Sequence, residues 1–265
     1  MPVSPARAAL PPPLKWAGGK RWQVPHLRPI WQLHKHRRLV EPFCGGLAVA
    51  LGLQPERALL NDANPHLVSF YRWLKRGLTI DIPLENREQA FYEHRDRFNA
   101  LIASDARESR EVAALFYYLN RTGYNGLCRF NRTGEFNVPF GQYARIRYER
   151  DFTRYVDALD GWQFSNDDFA KLPLESGDFV YADPPYDVPF RSYSRDGFPW
   201  GEQERVAEYF ATHPGPVVLV NQATPRIDRL YRSLGYAVRY LKAPRRIACT
   251  GNRTPAREVL ASRNV

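Results

Sequence analysis

An apolar stretch that leads directly into a glycine turn and a helix of small residues is the strongest constraint on the fold of this chain. Residues 38–43 predict a buried strand, Gly45 and Gly46 predict a tight turn, and residues 47–53 predict a closely packed helix. This order of elements forms the βα unit of nucleotide-binding α/β folds. We therefore expect an open, Rossmann-like sheet that binds its ligands at the carboxyl ends of its strands.

Further apolar runs predict the other strands. Residues 58–61 end at Asp62, about twenty residues beyond the first strand, where dinucleotide folds place the acid that holds ribose hydroxyls. The full GxGxxG pattern is absent, which argues against a dinucleotide and leaves other adenosine-containing cofactors open. Asp62 could instead cap a helix that begins near Pro65. Later runs predict strands over 162–168, 179–182, 216–220, 236–241 and 257–262, and helices over 202–212 and 226–234.

The segment Asp183-Pro184-Pro185-Tyr186 lies just beyond one of these strands. The two prolines fix φ and remove two backbone donors, so the Asp183 carboxylate and the backbone carbonyls remain as acceptors. Acceptors beside an aromatic ring suit a planar amino group that must donate hydrogen bonds, such as the exocyclic amine of a nucleobase. An ordinary turn at the end of a strand is the alternative interpretation.

The middle of the chain has a different periodicity. Apolar residues between positions 65 and 120 recur at helical spacing, and no strand is indicated there. Residues 127–130 and 135–138 then flank a turn and predict a β-hairpin with interleaved arginine and aromatic side chains. Such a hairpin could contact DNA or be an ordinary hairpin with a solvated basic face. We expect residues 1–64 and 160–265 to form one α/β domain, and residues 65–159 to form a mostly helical insertion.

Composition limits the partners and the compartment. The 265 residues carry a formal charge of +10, which favours a polyanionic partner, although an arginine-rich proteome would give the same value. The three cysteines form no CxxC pair and the six histidines form no ligand pattern, so we expect no metal site and a reduced, cytoplasmic setting. We also expect no membrane span, because the longest uncharged apolar stretch, 44–53, is too short.

Five motifs in a fixed order resemble one enzyme family. They are Leu14-Lys15-Trp16-Ala17-Gly18-Gly19-Lys20, Glu41-Pro42-Phe43, Asp62, the run 119–143 and Asp183-Pro184-Pro185-Tyr186. Together they resemble the Dam-like, D12 class DNA adenine-N6 methyltransferases over nearly the whole chain after residue 13. The long run 120–141 is the most specific part of this resemblance.

The resemblance implies a role for each motif. The methyl donor S-adenosylmethionine (SAM) would be bound by a set of eight residues, in which Asp62 holds the ribose and Asp168 contacts the cofactor's adenine: Trp16, Lys20, Glu41, Phe43, Gly45, Asp62, Asp168 and Asp183. The target adenine would be held by Asp183, the carbonyl of Pro184 and the ring of Tyr186. The residues that would face double-stranded DNA are Lys15, Arg121, Tyr124, Asn125, Leu127, Arg129, Asn131, Pro139 and Tyr143. The implied protein is a monomer in solution that methylates adenine in GATC.

The chain departs from the family pattern at two positions. The family's loop after the first strand usually has the pattern Phe-x-Gly-x-Gly, whereas this chain has leucine at position 47 in place of the second glycine. The family also tends to have a basic residue where Gln142 occurs, so one phosphate contact is expected to be missing.

Other activities remain as alternatives. A cytosine-C5 methyltransferase typically has its cysteine nucleophile after proline, but Phe43, Leu127 and Ala248 precede the three cysteines. A cytosine-N4, RNA or protein-glutamine methyltransferase could use a similar acceptor turn, and the predicted hairpin argues against these three. A catalytically silent, basic DNA-binding protein is the alternative from a different class.

Overall fold

The computed structural model describes residues 10–187, 198–244 and 256–265, so Ala248 and Cys249 lie outside the described residues. Seven strands form one sheet in the order β3-β2-β1-β4-β5-β7-β6. Strands β1 to β5 are parallel, and β7 runs antiparallel to both of its neighbours. The strands are β1 (Leu39–Glu41), β2 (Ala58–Asn61), β3 (Trp162–Ser165), β4 (Phe179–Ala182), β5 (Val217–Gln222), β6 (Ala237–Ala243) and β7 (Ala256–Arg263). The predicted Rossmann-like α/β sheet is confirmed.

Seven α-helices accompany the sheet in the described part of the chain. They are α1 (Val24–His34), α2 (Ala48–Leu53), α3 (Pro65–Lys75), α4 (Glu88–Ile102), α5 (Arg110–Thr122), α6 (Trp200–Ala211) and α7 (Pro225–Ser233). Helix α1 was not predicted, because Pro25 and Pro29 obscure its pattern. Pro25 lies in the first turn, where its missing N–H needs no helical partner. Leu27 and Trp31 are buried on one face, and this packing stabilises the helix despite Pro29 in its interior.

Helices α3, α4 and α5 confirm the prediction of helices without a strand between residues 65 and 120, although residues 76–87 form a loop between α3 and α4. The predicted hairpin is shorter than expected: one bridge joins Phe130 to Phe136, and Asn131 N–H donates to the carbonyl of Glu135 at 2.9 Å. Buried aromatic residues of α3 and α5, such as Phe70 and Phe116, belong to the same core cluster as the sheet residue Leu39. The helical part therefore shares a hydrophobic core with one face of the sheet, and the division at residues 64/65 and 159/160 stays a prediction.

A buried ion pair joins the beginnings of β1 and β4. Arg38 donates from Nε to Asp178 Oδ1 at 2.9 Å and from Nη2 to Oδ2 at 2.7 Å. These bonds raise the pKa of Arg38. Asp178 is only 1% exposed, and its Oδ2 also accepts from the backbone N–H of Glu175. This pair links two strands that are 140 residues apart in the sequence.

Asp178→Asn is expected to lower the free energy of unfolding by at most about 3–5 kcal/mol, because the buried Arg38 guanidinium loses its bidentate partner and keeps only the longer ion pair with the exposed Glu175, at 3.4 Å. Urea denaturation followed by circular dichroism measures this loss. Glu111→Gln is the matched control, since it breaks a bidentate pair with Arg97 on the surface and should have a much smaller effect. Equal losses in the two variants would contradict the prediction.

Candidate active site

The candidate site lies where the strand order of the sheet reverses. β1 and β4 are neighbours, but the chain leaves them toward opposite edges of the sheet, and this creates a crevice at their carboxyl ends. Glu41 is the last residue of β1, and Asp183 directly follows β4. The fold therefore brings together two acids that are far apart in the sequence, at the position where α/β sheets bind ligands.

The Asp183 carboxyl group has one partner and one free oxygen. Its Oδ2 lies 3.1 Å from Nζ of Lys20, whereas Oδ1 has no hydrogen-bond partner within the described residues. The Asp183 side chain is 18% exposed. Burial raises the pKa of Asp183 to about 6, and the Lys20 ammonium opposes this rise. Asp183 Oδ1 is therefore a buried hydrogen-bond acceptor without a partner in the described part of the chain.

Glu41 adds a second buried acid to the crevice. It is 2% exposed, and its Oε1 is buried without a partner in the described part of the chain. Burial raises the pKa of Glu41 well above its usual value, and the nearby Asp183 carboxylate raises it further. Free oxygens on Glu41 and Asp183 favour a ligand that brings positive charge or N–H donors.

The turn that contains Asp183 is held by side chains that the sequence did not single out. Gln203 Nε2 donates to the carbonyl of Pro185 at 2.7 Å, and Asn221 Oδ1 accepts from the N–H of Asp187 at 3.1 Å. Asn221 also donates to Gln203 Oε1 at 2.8 Å, which joins the two contacts. Asn221 could have been found as a polar residue at the end of an apolar strand, but Gln203 lies in a helix and has no such signal.

Tyr186 completes this turn. Its hydroxyl donates to Glu258 Oε2 at 2.7 Å, and Lys20 Nζ lies 4.5 Å from the centre of its ring. Burial and the nearby Asp183 raise the pKa of the Tyr186 phenol well above its usual value, so it remains a donor. Lys20 was predicted as a cofactor residue, and the structure places it between Asp183 and Tyr186.

Trp16 lies directly on the glycine turn after β1. A Cβ atom on Gly45 would lie 2.7 Å from Trp16 Nε1, and one on Gly46 would lie 2.7 Å from Trp16 Cβ. The approach of the indole therefore requires glycine at both positions. Leu47, at the family's second glycine position, adopts the left-handed conformation with φ of 59° and is fully buried. Burial of the leucine side chain offsets a backbone strain of roughly 1–2 kcal/mol.

Asp62 directly follows β2 and fixes the same turn. Its Oδ2 accepts from the N–H of Gly45 at 3.0 Å, and its Oδ1 accepts from the N–H of Asn64 at 2.9 Å. Burial raises the pKa of Asp62, and these two bonds oppose the rise. The helix cap that was the alternative role for Asp62 belongs to Asn64, whose Oδ1 accepts from the backbone at His66 and Leu67.

Asp168 and Phe43 both have side-chain partners within the fold. Arg205 donates to both carboxylate oxygens of Asp168, at 2.9 and 2.6 Å, and this contact lowers the pKa of Asp168. The Phe43 ring lies 5.5 Å from that of Phe169. Arg205 was missed because no sequence pattern links a residue of α6 to the acid after β3. The role of Asp168 in binding adenine stays a prediction.

Lys15 joins the N-terminal motif to the recognition loop, which we define as residues 123–143. Its Nζ donates to the carbonyl of Arg121 at 2.9 Å and lies 3.7 Å from the centre of the Tyr143 ring. A Cβ on Gly126 would lie 2.4 Å from Lys15 Cβ. Burial, and then the charge of Arg121, lowers the pKa of Lys15 to about 8.

The recognition loop presents several predicted DNA-contacting residues at its surface. Arg129 is exposed, and its guanidinium makes two bonds to Asn137. Nε donates to the side-chain Oδ1 at 2.7 Å, and Nη2 donates to the backbone carbonyl at 3.1 Å. Tyr124 is 49% exposed, and its N–H donates to the carbonyl of the exposed Pro139. Asn137 was missed, and it holds Arg129 in an outward position.

Other predicted DNA residues have structural partners. The Oδ1 of Asn131 accepts from Thr133 and from the N–H of Glu135, so this side chain builds the hairpin turn. Asn125 has a φ of 52° in the turn that precedes the half-buried Leu127. Two other predicted DNA residues also bond within the fold. Arg121 Nη2 donates to the carbonyl of Arg147, and the Tyr143 hydroxyl donates to the carbonyl of Gly123. Their contacts to DNA stay predictions.

Among the described residues, no group of three or more histidine, cysteine, aspartate or glutamate side chains could hold a metal ion. No helix in these ranges is long and apolar enough to cross a membrane.

Comparison with known proteins decides the family. Residues 16–247 match the family model of the D12 class N6 adenine-specific DNA methyltransferases. The chain belongs to this family. The methyltransferase is 34% identical to the Retron Ec67 DNA adenine methylase of Escherichia coli, over 94% of this chain and 90% of that protein. It is 36% identical to a DNA adenine methylase of Vibrio cholerae, over 94% of each chain. The type II methyltransferase M1.LlaDCHI of Lactococcus lactis is 32% identical, over 84% of this chain and 85% of that protein.

Lys20→Met is expected to raise the pKa of Asp183 above about 6, because the ammonium that favours the charged carboxylate is lost. Titration of ¹³C-labelled aspartate carboxyl groups by NMR measures this pKa, with the Asp183 signal assigned by its loss in Asp183→Asn. Lys35→Met, which removes an exposed charge beyond α1, is the control and should leave the titration unchanged. An unchanged or lower midpoint in Lys20→Met would contradict the prediction.

Proposed function

We propose that this methyltransferase transfers a methyl group from SAM to the N6 amino group of adenine in double-stranded DNA, within the sequence GATC. The observation that carries the proposal is the free Oδ1 of Asp183, which lies on a rigid proline turn beside the Tyr186 ring. The chain acts as a monomer on DNA in the cytoplasm under this proposal.

The hydrogen-bond acceptors and apolar surfaces of the crevice suit SAM. Glu41 provides a buried acceptor for the ammonium group of the cofactor, and Asp62 lies where the ribose hydroxyls of an adenosine are expected. The indole of Trp16 and the ring of Phe43 provide apolar surfaces, while Asp168 provides an acceptor for the adenine amine. When bound, SAM supplies an electrophilic methyl group on a positively charged sulfur.

The residues of the turn would activate the target amine by accepting its hydrogens. The lone pair of adenine N6 is conjugated with the ring, so the free amine is a poor nucleophile. Asp183 Oδ1 and the Pro184 carbonyl would hold the two N–H groups and favour a tetrahedral nitrogen, whose lone pair is localised. Tyr186 would stack on the base and fix its plane. Because the target atom is inaccessible within a duplex, the adenine must leave the base stack to reach this turn.

The recognition loop supports the proposed target sequence. Arg129 is exposed and oriented by Asn137, so its fork can bind O6 and N7 of a guanine, a common specific contact in the major groove. Leu127 and Pro139 offer apolar contacts for a thymine methyl group, and Lys15 offers donors for a second guanine. Tyr124, which is exposed, would fill the space that the flipped adenine leaves.

Asp183→Ala is expected to lower the single-turnover rate of methyl transfer by about 100- to 1000-fold, because one acceptor is worth roughly 2.7–4 kcal/mol in the transition state. The assay follows labelled methyl groups from SAM into a GATC duplex. Circular dichroism and calorimetric titration with SAM show whether the fold and the cofactor affinity persist.

Asp96→Ala, which removes an exposed acid of α4, is the matched control and should retain the wild-type rate. A wild-type rate in Asp183→Ala would contradict the role of the turn. A wild-type protein that binds DNA but gives no calorimetric signal with SAM would favour a silent DNA-binding protein.

Arg129→Ala is expected to relax the preference for one guanine by about tenfold or more, since one bidentate pair contributes about 1–3 kcal/mol of discrimination. The measurement compares methylation rates on GATC duplexes and on duplexes with one substituted base pair. Arg132→Ala is the control, because Arg132 is an exposed arginine of the same hairpin, and its loss should weaken binding to all sequences equally.

A plasmid experiment tests the target sequence itself. The plasmid is treated with the protein and SAM and is then challenged with a nuclease that cuts only unmethylated GATC. Protection of GATC sites is the expected result for the wild type. Complete cutting at GATC in a plasmid that carries methyl groups elsewhere would show that the target is another sequence.

A further inference from the structure

Glu258 is a buried acid that lies close to the proposed active site without belonging to any of the motifs described above. It is 7% exposed and lies beyond residues 16–247, which the family model matches. Its position follows from the sheet topology. Because β7 runs antiparallel to β5, its first residues reach the edge at which the parallel strands end, and Glu258 pairs there with Gln222.

Two donors converge on one oxygen of Glu258. Its Oε2 accepts from the Tyr186 hydroxyl at 2.7 Å and from Gln23 Nε2 at 2.8 Å. Gln23 is fully buried, and its Oε1 accepts from the Tyr181 hydroxyl at 2.8 Å, so the orientation of its amide is fixed. Within the described residues, no lysine or arginine lies at ion-pair distance from Glu258. The acid is therefore held by hydrogen bonds, and one of these bonds goes to the ring that would stack on the target base.

We propose that Glu258 is a positioning residue for methyl transfer, which acts by fixing the tilt of the Tyr186 ring. This inference rests on the proposed function. A phenol on a flexible side chain can rotate about two bonds, and a stacking surface is useful only if its plane is set before the base arrives. The bond to Glu258 fixes the hydroxyl end of the ring from the side of the sheet, and because a phenolic O–H lies in the plane of its ring, the direction of the bond also favours one plane.

The arrangement also fixes the direction of the hydrogen bond. Burial, together with the nearby acids Asp183 and Glu258, raises the pKa of the Tyr186 phenol well above its usual value, so the hydroxyl donates throughout the working pH range. The Lys20 ammonium lies 4.5 Å from the ring centre and does not contact Glu258 at ion-pair distance. Glu258 and Lys20 therefore constrain different parts of Tyr186, its hydroxyl and its ring.

The experiment is a double-mutant cycle on single-turnover methyl transfer, with full-length protein and a DNA duplex that the wild type methylates. The variants are Tyr186→Phe, Glu258→Leu, the double variant and the conservative Glu258→Gln. Tyr236→Phe is the matched control, since it removes another buried tyrosine hydroxyl, which donates to the carbonyl of Ala207 away from the site. Calorimetry with SAM is done on each variant.

We expect Tyr186→Phe and Glu258→Leu each to lower the rate by roughly tenfold to a hundredfold, because misplacement of a positioning group costs about this much. The double variant should be no slower than the slower single variant, since both remove the same bond. Glu258→Gln, which keeps an oxygen acceptor, should retain most of the rate, and Tyr236→Phe should retain all of it. SAM affinity should change little throughout.

A second readout separates positioning from a purely structural role. With 2-aminopurine at the target position, the fluorescence of the bound complex should change in Tyr186→Phe and Glu258→Leu in the same direction. If Glu258→Leu does not fold, Glu258→Ala takes its place in the cycle, because it also removes the acceptor, and it is expected to lower the rate and change the fluorescence as Tyr186→Phe does. Multiplicative losses in the double variant, or an unchanged rate in Tyr186→Phe, would overturn the inference. A wild type that methylates no DNA would instead overturn the proposed function.

Discussion

Two carboxyl groups lie side by side in a buried crevice, and burying them costs free energy. The rest of this site depends on that constraint. Glu41 is the last residue of β1 and Asp183 follows the adjacent strand β4, and burial raises the pKa of both carboxyl groups. A core that contains such groups is less stable than one without them, so the surrounding structure must hold them in place. It does so with the Lys20 ammonium on Asp183 and with side-chain contacts to the rigid turn that follows. The same unsatisfied oxygens that destabilise the free protein are those that a cationic cofactor and an amino group would satisfy.

Much of the sheet could be predicted because its central strands are buried on both faces. Such strands are continuous apolar runs bounded by turn residues, and the predicted limits of β2 and β4 agree with the structure at both ends. The acids Asp62 and Asp183 were found for the same reason, since each directly follows such a run. Helix α1 was missed because its two prolines obscure a pattern that tertiary packing stabilises.

The partners of these acids could not be predicted, because they depend on which distant elements the sheet brings together. The bond from Tyr186 to Glu258 joins residues that are 72 positions apart, and it exists only because β7 is antiparallel. The bond from Gln203 to Pro185 requires helix α6 to pack beside the turn. In sequence, Gln203 and Glu258 look like solvent-facing polar residues of a helix and a strand. Their burial becomes visible only when the topology is known, and no local pattern of residue types encodes it.

The N-terminal segment 15–23 shows how the recognition loop and the crevice come to act as one structure. Lys15 packs on the loop at Gly126, Trp16 packs on the glycine turn, Lys20 contacts Asp183, and Gln23 contacts Glu258. One segment of nine residues therefore contacts all four places. This segment therefore connects the recognition loop to the groups that contact Asp183 and Tyr186. Lys15 is held at its backbone and its Nζ by hydrogen bonds to Asn120 and Arg121 of α5, and its Nζ also lies over the Tyr143 ring, so the segment is anchored where α5 leads into the recognition loop.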